Sequence, residues 1–342
     1  MTEVISPSAP EASALWRRQQ LAKCATGVLG IIGDTPLFEM EHYLDRRDVE
    51  LFVKLEAFNP GGSAKDRPAL QMLVAGLNDG SISESTTVVE SSSGNMGIGL
   101  AQACRYLGLP FICVVDPHAQ PQNIQIMEAL GAQVDRVQDK ANGSFLTARL
   151  RRVNELLASI PDSFWPNQYS NSQNPKAHEL GTIREIDESL SGKFDYLFVA
   201  TSSTGTIQGC MNYIRRRGLS AKVVAVDAHG SVLFGGTPGD RHIPGLGAGQ
   251  EPALTRQLQC EIIDRGTDID CVVGCRRAAA REALLLGGSA GGVLESIRRN
   301  QVELAGRRCV AILHDDGVRY MDTVYFEGWV EDVLKIVRGR VR

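Results

Sequence analysis

Apolar positions along the chain fall into two patterns that alternate. Short runs at 51–55, 86–90, 111–116, 133–137, 196–200, 223–226 and 309–313 have strand length and carry many β-branched residues. Longer stretches with apolar residues three and four apart separate them, at 69–77, 96–104, 123–130, 143–160, 177–190, 207–217, 275–286 and 293–305. A helical stretch at 14–29 precedes this series and another at 328–337 follows it. Strand and helix in turn predict βαβ units, hence an α/β chain built on mostly parallel sheets. A length of 342 residues accommodates two domains. A smaller mobile domain is expected at 46–150 and a larger one from 13–45 with 151–326, leaving a terminal helix at 327–342.

Three junctions of strand and helix are built from small and polar residues. Asn59-Pro60-Gly61-Gly62-Ser63-Ala64-Lys65-Asp66-Arg67 follows the run at 51–55 and opens the helix at 69–77. It places one lysine at a helix start, where the helix dipole disfavours its charge and brings the free amine within reach. Ser91-Ser92-Ser93-Gly94-Asn95 follows the run at 86–90, and Thr201-Ser202-Ser203-Thr204-Gly205-Thr206 follows that at 196–200. In an open α/β sheet, ligands bind at such carboxyl ends. The Thr201–Thr206 loop combines hydroxyls, backbone amides and a helix N-terminus, which suits a phosphate, although it matches neither the Walker nor the dinucleotide pattern. The serine loop suits a carboxylate, and by itself fits a capping turn equally well.

Charge and cysteines narrow the class. A net charge of −4, with no basic run interleaved with aromatics, argues against nucleic-acid binding. The eight cysteines lie mostly in apolar runs and show no zinc spacing, so no metal site is expected. Residues 1–20 lack a charged start followed by an apolar core, and no apolar run reaches about 18 residues, so neither secretion nor a membrane span is expected. The expectation is a cytoplasmic protein.

One lysine, one phosphate cradle and one carboxylate cradle suggest pyridoxal phosphate acting on an amino acid. Over roughly residues 30–325 the sequence resembles the fold-type II pyridoxal-phosphate enzymes, the cysteine synthase and cystathionine β-synthase family with its tryptophan synthase β-like architecture. The junctions above carry the resemblance, with Asn167-Gln168-Tyr169, Gly245-Leu246-Gly247-Ala248-Gly249 and Gly287-Gly288-Ser289-Ala290-Gly291. The resemblance implies that Lys65 binds the cofactor covalently and moves the proton. It gives Asn95 the ring hydroxyl, Ser203, Thr204, Gly205 and Thr206 the phosphate, and Ser289 the pyridine nitrogen. A neutral hydroxyl at that nitrogen disfavours a long-lived carbanion and favours β-elimination to an aminoacrylate. Ser91, Ser93, Met96 and Gln168 are expected around the substrate carboxylate. A homodimer is also implied.

Met96 stands where cysteine synthases usually carry threonine, and the phosphate loop is poorer in glycine than theirs. These departures resemble the branch that makes the 2,3-diaminopropionate precursor of siderophores, joining O-phospho-L-serine to the amine of L-glutamate. A phosphoserine dianion calls for a bidentate cation. Arg149 is the first candidate, supported by Tyr169 and Ser202. Arg241 and His242 are second candidates, or else receive the side-chain carboxylate of glutamate. A cysteine synthase using sulfide with O-acetylserine or O-phosphoserine shares every cofactor residue. A non-catalytic subunit on the same fold is the alternative from another class.

Overall fold

The computed structural model describes residues 9–335. Ten strands follow one another along the described residues. They are β1 (Leu37–Glu39), β2 (Glu50–Leu55), β3 (Thr87–Ser91), β4 (Phe111–Val115), β5 (Gln133–Arg136), β6 (Ser163–Phe164), β7 (Tyr196–Ala200), β8 (Lys222–Ala228), β9 (Ile262–Gly266) and β10 (Arg308–Leu313). The expected 177–190 helix is two, Gln173–Leu180 and Thr182–Leu190, because Gly181 takes a non-helical conformation between them. The expected turn at 287–292 is instead the start of the helix Gly288–Arg299. The described part of the last helix is Glu327–Leu334, and the end of the expected 328–337 segment lies outside the described residues.

Two compact units divide the chain. One comprises Ala69–Asn167 and the segment ending at Ile32; the other comprises Gly33–Pro68 and the chain from Gln168 onward. These divisions differ from the expected 46 and 150. β2 is a strand of the second unit's sheet, paired in parallel with β10, while the helix Phe145–Ser159 packs on β3 and β4 of the first unit.

The first unit holds an all-parallel sheet in the order β5-β4-β3-β6. Its core is formed by Met72, Leu73, Leu100, Cys104, Phe111 and Met127 on one side, with Val89, Val114 and Val153 on the other. The second unit holds the sheet β1-β2-β10-β7-β8-β9, parallel apart from the edge strand β1. Side chains alternate across the pleat. Ala311 and Leu313 of β10 therefore enter one core layer, and Val310 and Ile312 enter the other. The three neighbouring strands β2, β10 and β7 point the same way, so the segments following them emerge at one edge of the sheet.

Under that edge lies a buried ionic network. Arg67 forms a fork with each of two carboxylates: Nε to Glu56 Oε2 at 2.7 Å and Nη2 to Glu56 Oε1 at 2.8 Å, then Nη1 to Glu185 Oε1 at 2.6 Å and Nη2 to Glu185 Oε2 at 2.8 Å. Lys54 Nζ completes it, 2.7 Å from Glu185 Oε2. Two cations thus balance two anions in a dry setting, tying the residue two positions after Lys65 to the sheet. Removing one member leaves charge uncompensated, and Arg67→Met is expected to lower stability by about 3–5 kcal/mol in urea unfolding. Burial pushes the Glu185 carboxyl up, but the hydrogen bonds and charges of Arg67 and Lys54 prevail and hold it at about 2, below its ordinary 4.5. Because the folded value is the depressed one, this contribution is complete above pH 4.5 and disappears as pH falls through about 2.

Candidate active site

In the second unit, the loop after β2 turns on Gly62, whose N–H donates to Asn59 O at 2.7 Å with φ at +80°. Ala64 N then donates to His314 O at 2.8 Å, fixing the lysine loop against the end of β10. The helix that follows is Asp66–Asp79, so Lys65 stands just before it rather than in its first turn. Its pKa is lowered, chiefly by burial, with Asp315 and Glu56 opposing the shift. Yet Lys65 keeps part of its surface accessible. It is surrounded by protein and still reachable, the condition an amine needs to attack a carbonyl carbon at neutral pH.

The loop after β7 leads into the helix Gly205–Arg217 through Thr204, which sits in the left-handed region at φ +64°. Ser203, Thr204 and Thr206 are buried. The first-turn amides of this helix have no intrahelical acceptor, and the dipole there favours an anion. Gly205 is required by a close approach: a Cβ there would stand 2.1 Å from Asn174 Oδ1. Asn174 in turn donates to Gln168 O at 2.7 Å, which ties the Gln168 segment to the Thr201–Thr206 loop. His178 lies beneath the helix start, with Nε2 3.2 Å from Thr206 Oγ1 and Nδ1 3.0 Å from Thr182 Oγ1.

Ser289 lies buried in the first turn of Gly288–Arg299. The glycine-rich loop passes close to it, since a Cβ on Gly245, whose φ is +79°, would stand 3.6 Å from Ser289 Oγ. Arg241 uses its N–H groups within that loop, Nε to Gly230 O at 3.2 Å and Nη1 to Leu246 O at 3.3 Å. His242 is exposed, with Nδ1 2.9 Å from Asp268 Oδ2. Both second candidates are thus engaged in holding the loop. Tyr169 is half-buried and its carbonyl accepts from Leu254 N at 3.2 Å; Ser202 is half-buried in the Thr201–Thr206 loop.

In the first unit, the serine loop follows β3 and leads into the helix Asn95–Leu107. Ser92 Oγ accepts from Gly97 N at 2.9 Å, so this serine performs the capping. Ser91 is buried and its N–H donates to Glu90 Oε1 at 2.8 Å. Met96 follows Asn95 in the first turn of this helix. Its side chain is 2% exposed and packs in the apolar core, because the second helical position faces inward; only its backbone remains for a ligand. Arg149 points inward from its helix. Nη1 donates to Ser93 Oγ at 3.1 Å, and Nε lies 3.0 Å from Asp116 Oδ2 at the end of β4. Asp116, His178 and His314 were absent from the residues read out of the sequence. The signal for His314 was its place directly after an apolar strand, but that β10 lies beside β2 is not visible along the chain.

A lysine amine held below its usual pKa, an anion cradle at a helix N-terminus and a buried serine at a second helix start together fit a phosphorylated aromatic aldehyde. The chain belongs to the pyridoxal-phosphate dependent enzyme family, whose model matches residues 28–315. It is 42% identical over 308 residues to N-(2-amino-2-carboxyethyl)-L-glutamate synthase from Ralstonia nicotianae, covering 90% of this chain and 91% of that one. Among solved structures it is similar to the O-acetylserine dependent cystathionine β-synthase from Helicobacter pylori, with a TM-score of 0.81 and 30% identity over 88% of this chain and 99% of that one. A hydrogen sulfide-producing enzyme from Fusobacterium nucleatum gives 0.81 at 31% identity, over 86% and 98%. The protein is a pyridoxal-phosphate-dependent β-replacement enzyme of fold type II. All eight cysteines are free thiols. Among the described residues no group of three potential metal ligands occurs, and no helix is long and apolar enough to cross a membrane.

Proposed function

We propose that the enzyme joins O-phospho-L-serine to the amine of L-glutamate, releasing phosphate and N-(2-amino-2-carboxyethyl)-L-glutamate. The observation that carries this reading is Arg149, turned inward and held by Asp116 beside Ser93 of the carboxylate loop. A preoriented guanidinium suits a phosphate dianion better than a neutral acetyl group. The 42% identical relative bears the name of this synthase.

In this reading Ser203, Thr204, Gly205 and Thr206 hold the cofactor phosphate, Asn95 its ring hydroxyl and Ser289 its ring nitrogen. When bound, pyridoxal phosphate supplies an electron sink that makes the substrate α-proton removable. Lys65, freed as an amine, takes that proton. Ser91, Ser93, Gln168 and the Met96 backbone orient the substrate carboxylate, with Tyr169 and Ser202 assisting Arg149. The Cβ–O bond breaks and phosphate leaves with its electron pair. The glutamate nitrogen then bonds to Cβ and loses a proton, and Lys65 returns a proton to Cα. Release of phosphate before the second substrate reacts gives ping-pong kinetics. The same reading places the enzyme in siderophore-precursor synthesis, in the cytoplasm, as a homodimer whose smaller domain moves over the substrate.

Incubation with O-phospho-L-serine and ¹⁵N-glutamate tests the reaction by mass spectrometry. A labelled adduct with one equivalent of phosphate supports it. Cysteine formed from sulfide in preference to that adduct identifies a cysteine synthase instead.

A further inference from the structure

His314 is the first residue after β10. Its carbonyl accepts from Ala64 N at 2.8 Å, so its backbone lies beside the residue preceding Lys65. Alternation along β10 directs its side chain to the face of Val310 and Ile312, the layer that also holds Ile207 and Cys210 of the phosphate-loop helix. β10 runs between β2 and β7. The imidazole therefore lies between the segment bearing Lys65 and the segment bearing the phosphate loop.

His314 is 7% exposed, and neither of its buried ring nitrogens has a hydrogen-bond partner within the protein. The contrast with His178 is direct, because both of that ring's nitrogens meet threonine hydroxyls. Burial, then the charge of Lys65, hold the His314 imidazole at about 3, so it is neutral at physiological pH. A neutral imidazole has one N–H donor and one acceptor nitrogen. Leaving such groups buried and unmet is unfavourable, and a group kept in that condition calls for a reason.

We propose that His314 is a further positioning residue of the cofactor site, an imidazole left unpaired by the protein so that bound pyridoxal phosphate completes its hydrogen bonding. The proposal concerns only the chain's reception of its cofactor, and it stands whichever nucleophile the enzyme uses.

The test is ¹⁵N-histidine NMR on the full-length enzyme stripped of cofactor and then reloaded with pyridoxal phosphate alone. The six histidines are few enough to assign by substitution. The expected result is that the His314 ring nitrogens shift on loading while those of the exposed His42 stay in place. In parallel, His314→Phe binds the cofactor about 10-fold more weakly, the scale of one net hydrogen bond, and His314→Asn, which keeps a donor and an acceptor, recovers most of that loss. Ring signals unmoved by loading overturn the proposal, and they do so even if His314→Phe fails to fold. A folded His314→Phe that binds cofactor as tightly as the parent overturns it too.

Discussion

Lys65→Ala abolishes turnover, by about 10⁴-fold or more on the scale of losing a covalent catalytic group, and the purified protein loses its visible absorbance. The fold survives the change, because the ionic network that anchors this loop runs through Arg67, Glu56 and Glu185 and not through Lys65. Circular dichroism and the unfolding midpoint are expected to match the parent. The pH dependence follows from the same residue. Burial lowers the Lys65 pKa, so its free amine is available below the pH an ordinary lysine requires. Capture of cofactor by the stripped chain is expected to accelerate with pH through a midpoint below the usual lysine value of about 10.4. Retained turnover in Lys65→Ala, or a midpoint at or above that value, contradicts the assignment.

Arg149→Ala is expected to separate the two leaving groups. Losing a charge-assisted, bidentate contact with a phosphate dianion lowers kcat/KM for O-phospho-L-serine by about 100-fold, close to 3 kcal/mol. With O-acetyl-L-serine the same substitution changes the rate only a few-fold, since no dianion is lost. Arg149→Lys restores little, because a point charge cannot reproduce the fork that lies against Ser93 and Asp116. Steady-state rates with both substrates check this. An equal fall with both makes Arg149 a structural member of its helix.

The strand-turn-helix junctions were legible because each couples a strand-length apolar run to glycine, serine and threonine at a helix start, a local signal. Lys65, the Thr201–Thr206 loop and the serine loop all lie at the carboxyl ends of strands for that reason. The helix expected from Met96 onward begins one residue earlier, at Asn95, so Met96 is the second helical position and its side chain is buried. β9 was missed because Ile262-Ile263-Asp264-Arg265-Gly266 is an edge strand whose polar residues break the apolar pattern. The two-helix break at Gly181 was hidden by apolar spacing that continues across it.

What escaped altogether depends on strand order. Asp116 meets Arg149 from 33 positions away because β4 ends beside the helix Phe145–Ser159. His314 meets the Lys65 loop across some 250 residues because β10 inserts between β2 and β7. Parallel pairing of distant segments leaves no local mark, so positioning residues of this kind become visible only in the folded chain.

The central claim is that the enzyme releases phosphate from O-phospho-L-serine before glutamate attacks. The most direct measurement is the visible spectrum of the loaded enzyme, titrated first with O-phospho-L-serine and then with L-glutamate or sulfide. The account predicts that phosphoserine alone shifts the absorbance and releases one equivalent of phosphate, and that glutamate restores the original spectrum while sulfide does so poorly. A shifted spectrum that sulfide reverses and glutamate leaves untouched would contradict it.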